Sequence, residues 1–260
     1  MDAYSIAGIN RLPYDEKREI FVRLIPDEIF TRFQLPENLI DKHGNNLLTI
    51  KGKPGEGSLE LYLHHQAGFP DPILYSHLID TLNGQIHVLL YIMNDPDSPR
   101  YDVDVMPDGS RTMFATEQRN LEAELAAMEA GLLPGQIRRG LNILSDAVAS
   151  FEKFMAFLGH NLYFNEPLYY HNAIIFERYG FNYQSGKRRM AEINRRFQED
   201  ESVIKKLDGS PFRDPAAQTS IFHRSWAIHD GVLGEPFPNI TMYKILNKRA
   251  DINTAPGIHW

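Results

Sequence analysis

Asn172-Ala173-Ile174-Ile175-Phe176-Glu177-Arg178-Tyr179-Gly180-Phe181 has helical spacing of its apolar residues, stops at a glycine and runs at once into aromatic, strand-forming residues. A glycine just past the last periodic residue is the usual way to leave a helix, because it alone adopts the left-handed backbone without steric cost. The stretch therefore reads as a helix over Leu168–Tyr179 feeding a strand at Phe181–Tyr183. A chain that alternates helix and strand at this short interval buries a sheet against helices.

The same alternation extends in both directions. Upstream, Asn161–Asn165 reads as a short strand. Before it, Ile143, Leu144, Ala147, Val148, Phe151, Phe154, Met155 and Leu158 mark the broad apolar face of a long helix closed by Gly159. Leu121, Leu125, Met128 and Leu132 mark another, with Thr116 as its expected N-cap and Gly131 near its end. Downstream come a helix over Lys187–Phe197 and a last strand at Ile240–Leu246. Residues 1–115 read differently. Leu47–Lys51 and Leu59–His65 flank a turn-rich connection, and Ile86–Met93 and Arg100–Met106 flank Asn94-Asp95-Pro96-Asp97-Ser98-Pro99, giving two hairpins. A short helix is expected at Ile73–Leu82. The spacing predicts an α+β protein with a mixed, mostly antiparallel sheet flanked by helices. We expect a single large domain over 1–260, with a β-rich half (1–115) and a helix-strand-helix half (116–260).

Composition bounds the chemistry. The 260 residues are 43% hydrophobic and 23% charged, enough to bury a sizeable core. There is no cysteine, which removes disulfides, thiolate metal sites and a cysteine nucleophile. A net charge of -7 opposes nucleic-acid binding. The one basic cluster, Lys187, Arg188, Arg189, Arg195 and Arg196, lies over Met190, Ile193 and Phe197 at helical spacing, so it reads as a solvated helix face. No apolar run approaches the ~20 residues that span a bilayer, and Met1-Asp2-Ala3-Tyr4 opens no leader-like stretch. A cytoplasmic location without membrane or nucleic-acid partners is the expectation, and a homo-oligomer is compatible with it.

Two segments carry candidate chemistry. Gln136-Ile137-Arg138-Arg139-Gly140-Leu141-Asn142 reads as directly opening the long helix. Two arginines at a helix start are disfavoured by the macrodipole unless an anion docks on the free N–H groups. Phe222-His223-Arg224-Ser225-Trp226-Ala227-Ile228-His229-Asp230-Gly231 gathers two histidines, a carboxylate and a tryptophan. A His beside an Asp can act as a general base, and His223, His229 and Asp230 together suggest a divalent-metal reading. The spacing of the two histidines fits neither one helix face nor a defined zinc motif. No Gly-x-Ser-x-Gly elbow, P-loop or dinucleotide fingerprint occurs.

The Arg-Arg-Gly-Leu segment, followed by Asn172 and then Phe-Glu-Arg-Tyr-Gly-Phe, resembles the GCN5-related N-acetyltransferase (GNAT) family over residues 136–183. The resemblance implies an acyl-CoA N-acyltransferase-like fold with acetyl-CoA or another acyl-CoA as co-substrate. It places Arg138, Arg139, Gly140 and Leu141 at the pyrophosphate and Asn172 at the pantetheine arm. It further implies a splayed pair of parallel strands between 161–165 and the strand preceding the arginine segment. The family's acidic aromatic aligns with Phe176, which has no hydroxyl. That leaves Tyr169, Tyr170 or Tyr179 to act, with Tyr170 the catalytic candidate alongside His229 and Asp230. The implied activity is acyl transfer to a small-molecule amine or peptide acceptor without a required metal. A metal-dependent reading and a catalytically inactive binding module stand as alternatives.

Overall fold

The computed structural model describes residues 4–112 and 118–260. The fold class is α+β, as the alternation predicts, and the sheet is mixed and mostly antiparallel. Helices are α1 (Ile6–Ile9), α2 (Tyr14–Val22), α3 (Asp27–Phe33), α4 (Leu121–Glu129), α5 (Leu144–Phe157), α6 (Tyr170–Arg178), α7 (Lys187–Glu199), α8 (Glu201–Ile204) and α9 (Ile221–His229). Strands are β1 (Leu48–Lys51), β2 (Ser58–Leu63), β3 (Leu74–Asp80), β4 (Ile86–Met93), β5 (Leu162–Asn165), β6 (Asn182–Ser185) and β7 (Thr241–Ile245). Their order is β1-β2-β3-β4-β5-β7-β6.

The chain divides into two units. The first takes residues 1–96, 140–166 and 243–249. Strands β1 to β4 form an antiparallel meander, and β5 joins β4 in parallel. Burial alternates along β2 and β3, so Leu59, Leu61, Leu63, Leu74 and Leu78 face one side. Helices cover that side: Phe21 of α2 packs on Phe154 of α5, and Phe151 of α5 packs on Tyr91 and Tyr163. Asp80, at the end of β3, accepts the N–H groups of Ile6 and Ala7 at 2.8 Å each, fastening the start of α1.

The second unit takes residues 97–139, 167–242 and 250–260. Its core holds Trp226, Tyr170, Phe181 and Phe197. The α7 arginines sit in ion pairs, Arg195 with Glu192 and Glu199, and Arg196 with Asp200 and Glu235, which is the solvated face its sequence suggests.

Four local expectations are corrected. The stretch Ile73–Leu82 holds strand β3 (Leu74–Asp80) rather than a helix, because Leu74, Ser76 and Leu78 keep a period of two. Arg100–Met106 is no strand: Arg100 folds back onto Asp102 and Asp104, and Val105 makes an isolated bridge to Arg111. Residues 6–33, to which the sequence assigned no element, form α1 to α3. The helix after the arginine segment begins at Leu144, because Asn142 takes a left-handed φ of 60° that no helix continues through. The proposed cap Thr116 lies outside the described residues. Asn120 caps α4, accepting the Ala123 N–H at 3.3 Å.

Candidate functional site

In the first unit, β4 and β5 touch over two residue pairs, His87 with Phe164 and Val88 with Asn165. Strand β4 then runs on to Met93, while β5 ends at Asn165 and is followed by Glu166 and Pro167. Parallel strands that part in this way leave N–H and C=O groups of the longer strand without a ladder partner. The parting coincides with a bulge: Leu78 pairs with Val88 and His77 with Leu90, so Leu89 is the extra residue. Such a residue points its peptide groups out of the ladder.

The end of β4 meets the approach to α5. A Cβ on Gly140 would lie 3.6 Å from the Met93 carbonyl, so the two backbones are neighbours. Arg32 donates to the Leu141 carbonyl at 2.9 Å and pairs with Asp95 at 3.0 Å, holding this segment from below. Helix α5 has no side-chain N-cap; its first turn carries the exposed Asp146. Its leading N–H groups are therefore not taken by a capping side chain.

The second unit holds the residues that looked most like catalytic groups. His229 Nε2 lies 3.0 Å from Glu124 Oε1, and the two side chains are 9% and 3% exposed. Arg119 donates from Nε to Glu124 at 2.9 Å and from Nη1 to Asp230 at 2.9 Å. Arg213 donates to the other Asp230 oxygen at 2.7 Å. Burial alone would raise the Glu124 carboxyl, but the hydrogen bonds from His229 and Arg119 outweigh it and hold the carboxyl below its ordinary range. The rings of Tyr169 and Trp226 stand edge-on to His229 at 5.6 and 5.7 Å. His171 stacks on Tyr169 and is fully enclosed, its Nδ1 without a partner; burial, aided by His229, pushes its pKa down to about 3.

The other sequence candidates fall as follows. Tyr170 is buried, and its hydroxyl accepts from Arg224 at 3.2 Å; burial raises its pKa. Arg224 has no exposed surface and also donates to Asn194, Ala217 and Gln218. Arg138 donates to the Ser98 carbonyl and Arg139 to the Ala130 carbonyl, so both anchor loops of their own unit and neither opens a helix. Asn172 accepts the Tyr169 N–H at 3.2 Å, a side chain bent back to cap its own helix. His223 faces Ser220 at 3.1 Å and Asp214 at 3.9 Å, apart from His229's partner Glu124. No group of three or more His, Asp or Glu suited to a metal occurs among the described residues.

The sequence reading missed Glu124, Arg119 and Arg213, which complete the His229–Asp230 network. It also missed Glu177, whose buried carboxylate accepts from Tyr183 and twice from Thr254. Glu124 and His229 are 105 positions apart, so no local pattern could pair them. No helix among the described residues is long and apolar enough to cross a membrane. No protein-family model, curated protein or solved structure matches this chain.

Proposed function

We propose that the chain is an acyl-CoA-dependent N-acyltransferase of the cytoplasm whose co-substrate lies along β4 where β5 parts from it. The carrying observation is the parallel β4–β5 contact that ends after two residue pairs beside the Leu89 bulge. An amide-bearing arm can add to an open strand as a further strand would, through main-chain hydrogen bonds. The uncapped start of α5, reached through Gly140 and Leu141, suits the diphosphate, because N–H groups and the helix dipole favour an anion there. The N-acetyltransferase resemblance of residues 136–183 supports the same reading. Its weight shifts from Arg138 and Arg139, which are engaged elsewhere, to the backbone.

In this reaction the acceptor, a small-molecule amine or a peptide amine, attacks the thioester carbonyl carbon. The C–N bond forms, the C–S bond breaks, and CoA leaves as a thiolate that takes up a proton. Holding the two reactants in line contributes most, and a peptide N–H turned out of the ladder at the bulge stabilises the developing oxyanion. No metal enters. Thermal-shift titration with acetyl-CoA, CoA and ATP tests the proposal: stabilisation by both CoA species and little by ATP is expected. Absence of any shift at millimolar CoA sinks it.

A second reading, a CoA-binding module without turnover, is favoured by the packing of Phe176 on Phe181 at 5.0 Å and by the occupied Tyr170 hydroxyl. Bound CoA with no product on a panel of amines would select it. Elemental analysis of untagged protein tests the metal alternative at His223, His229 and Asp230.

A further inference from the structure

Among the enclosed side-chain atoms of the first unit that find no hydrogen-bond partner are Ser76 Oγ, Tyr91 Oη and Asn165 Oδ1. Register brings them to one place. Ser76 of β3 is the direct cross-strand partner of Tyr91 of β4. Asn165, the last residue of β5, is the partner of Val88. The bulge at Leu89 returns Tyr91 to the side of the sheet that carries Val88, Leu78 and Ser76, all buried. The Tyr91 ring stands edge-on to Phe151 of α5 at 6.2 Å, so this is the helix-covered side. The patch therefore sits at the parting of β4 and β5.

A buried hydroxyl or amide oxygen without a partner is costly, and native proteins keep few of them. Three on the same face of three neighbouring strands call for a partner that the chain does not supply. Its chemistry can be read from theirs. Asn165 Oδ1 only accepts, whereas the two hydroxyls donate or accept. No cationic side chain hydrogen-bonds any of the three, so a carboxylate would be desolvated there without compensation. A neutral group with one donor and one acceptor, such as a hydroxyl, satisfies them.

Resting on the acyl-CoA reading above, we infer that Ser76, Tyr91 and Asn165 form a polar acyl subsite selecting an acyl group that bears a hydroxyl near its thioester over the plain hydrocarbon chain. Burial holds the Tyr91 hydroxyl protonated well above its ordinary pKa, which keeps it available as a donor.

The experiment compares dissociation constants of butyryl-CoA and 3-hydroxybutyryl-CoA, measured calorimetrically on the full chain, for the wild type, Tyr91→Phe and Ser76→Ala. The wild type should bind the hydroxylated ligand about tenfold tighter, the factor of one or two net hydrogen bonds. Each variant should narrow that ratio to about threefold or less, and Tyr91→Phe should unfold no earlier than wild type when unliganded. Ser76→Ala reads the same ratio at the opposite strand, independently of Tyr91→Phe. Equal wild-type affinities overturn the inference while leaving the acyl-CoA reading intact. So does an undiminished ratio in the variants, or a clear loss of unliganded stability in Tyr91→Phe, which would mean that a resident water already satisfies the hydroxyl. Failure of both ligands to bind overturns the reading and this inference together.

Discussion

The charged groups of the second unit and the neutral polar groups of the first are partnered differently, His171 of the second unit being an exception with its Nδ1 unpaired. In the second, the residues with the most chemical character are saturated: Arg119 is shared between Glu124 and Asp230, and Arg224 spends its donors on four partners. In the first, unremarkable side chains such as Ser76 and Asn165 are buried with an atom unpaired, beside the point where the β4–β5 ladder ends after two residue pairs. A fully paired network holds a fold together, whereas unpaired groups await something. Residue type alone would have ranked the two units the other way round.

That contrast can be broken most forcefully at Arg224. Arg224→Met strands two carbonyls, the Tyr170 hydroxyl and Asn194, and should cost on the order of 3 kcal/mol in denaturant unfolding. A loss below 1 kcal/mol would show that the saturated network is ornamental.

Acid should sharpen it next. His171 is neutral when folded, its pKa held near 3, against about 6.5 in the unfolded chain. The unfolded state thus binds the extra proton below about pH 6.5, and stability falls as pH drops, by at most about 1.4 kcal/mol per unit. Glu124 acts in the same direction, since its depressed carboxyl contributes stability above its unfolded pKa that is lost as pH falls through the folded value. His171→Leu should flatten the wild-type slope of melting temperature between pH 6 and 4.5; an unchanged slope refutes the assignment.

A smaller effect concerns α5. Asp146 puts a negative charge in the first turn, where the proposed diphosphate would dock. Asp146→Asn should tighten CoA binding by about two- to fivefold, in line with the few tenths to 1 kcal/mol of a helix-end charge, and less in high salt. Weaker or unaltered binding would move the diphosphate elsewhere. The smallest effect is Ser76→Ala without ligand: a change within about 0.5 kcal/mol, or a slight gain, because an unpaired hydroxyl is removed from the core. A loss like that of Arg224→Met would erase the distinction between the units.

Much of the architecture could be read from the chain. The apolar face of α5 and its stop at Gly159, with φ at 81°, follow from the sequence, as do β2, β4, and the helix-glycine-strand run of α6 and β6. Strand β3 was lost because Tyr75, His77 and Ser76 blur an alternation that burial makes plain. Helices α1 to α3 were lost because two of them start after prolines without a capping side chain. The arginine segment was legible as cationic but not as non-helical, since that depends on the backbone of Asn142. Tyr91 and Asn165 could not be related at all: two helices, α4 and α5, separate β4 from β5, and their strands meet only once the crossover is made.

Pro167 gives the strand parting a permanence that side chains could not. Lacking an amide hydrogen, it cannot donate to any strand ladder, so β5 gains no further ladder bond from that amide. That one donor is missing from the covalent chain itself, whatever the temperature or solvent. A co-substrate lying along β4, as proposed, would break no ladder bond donated by residue 167.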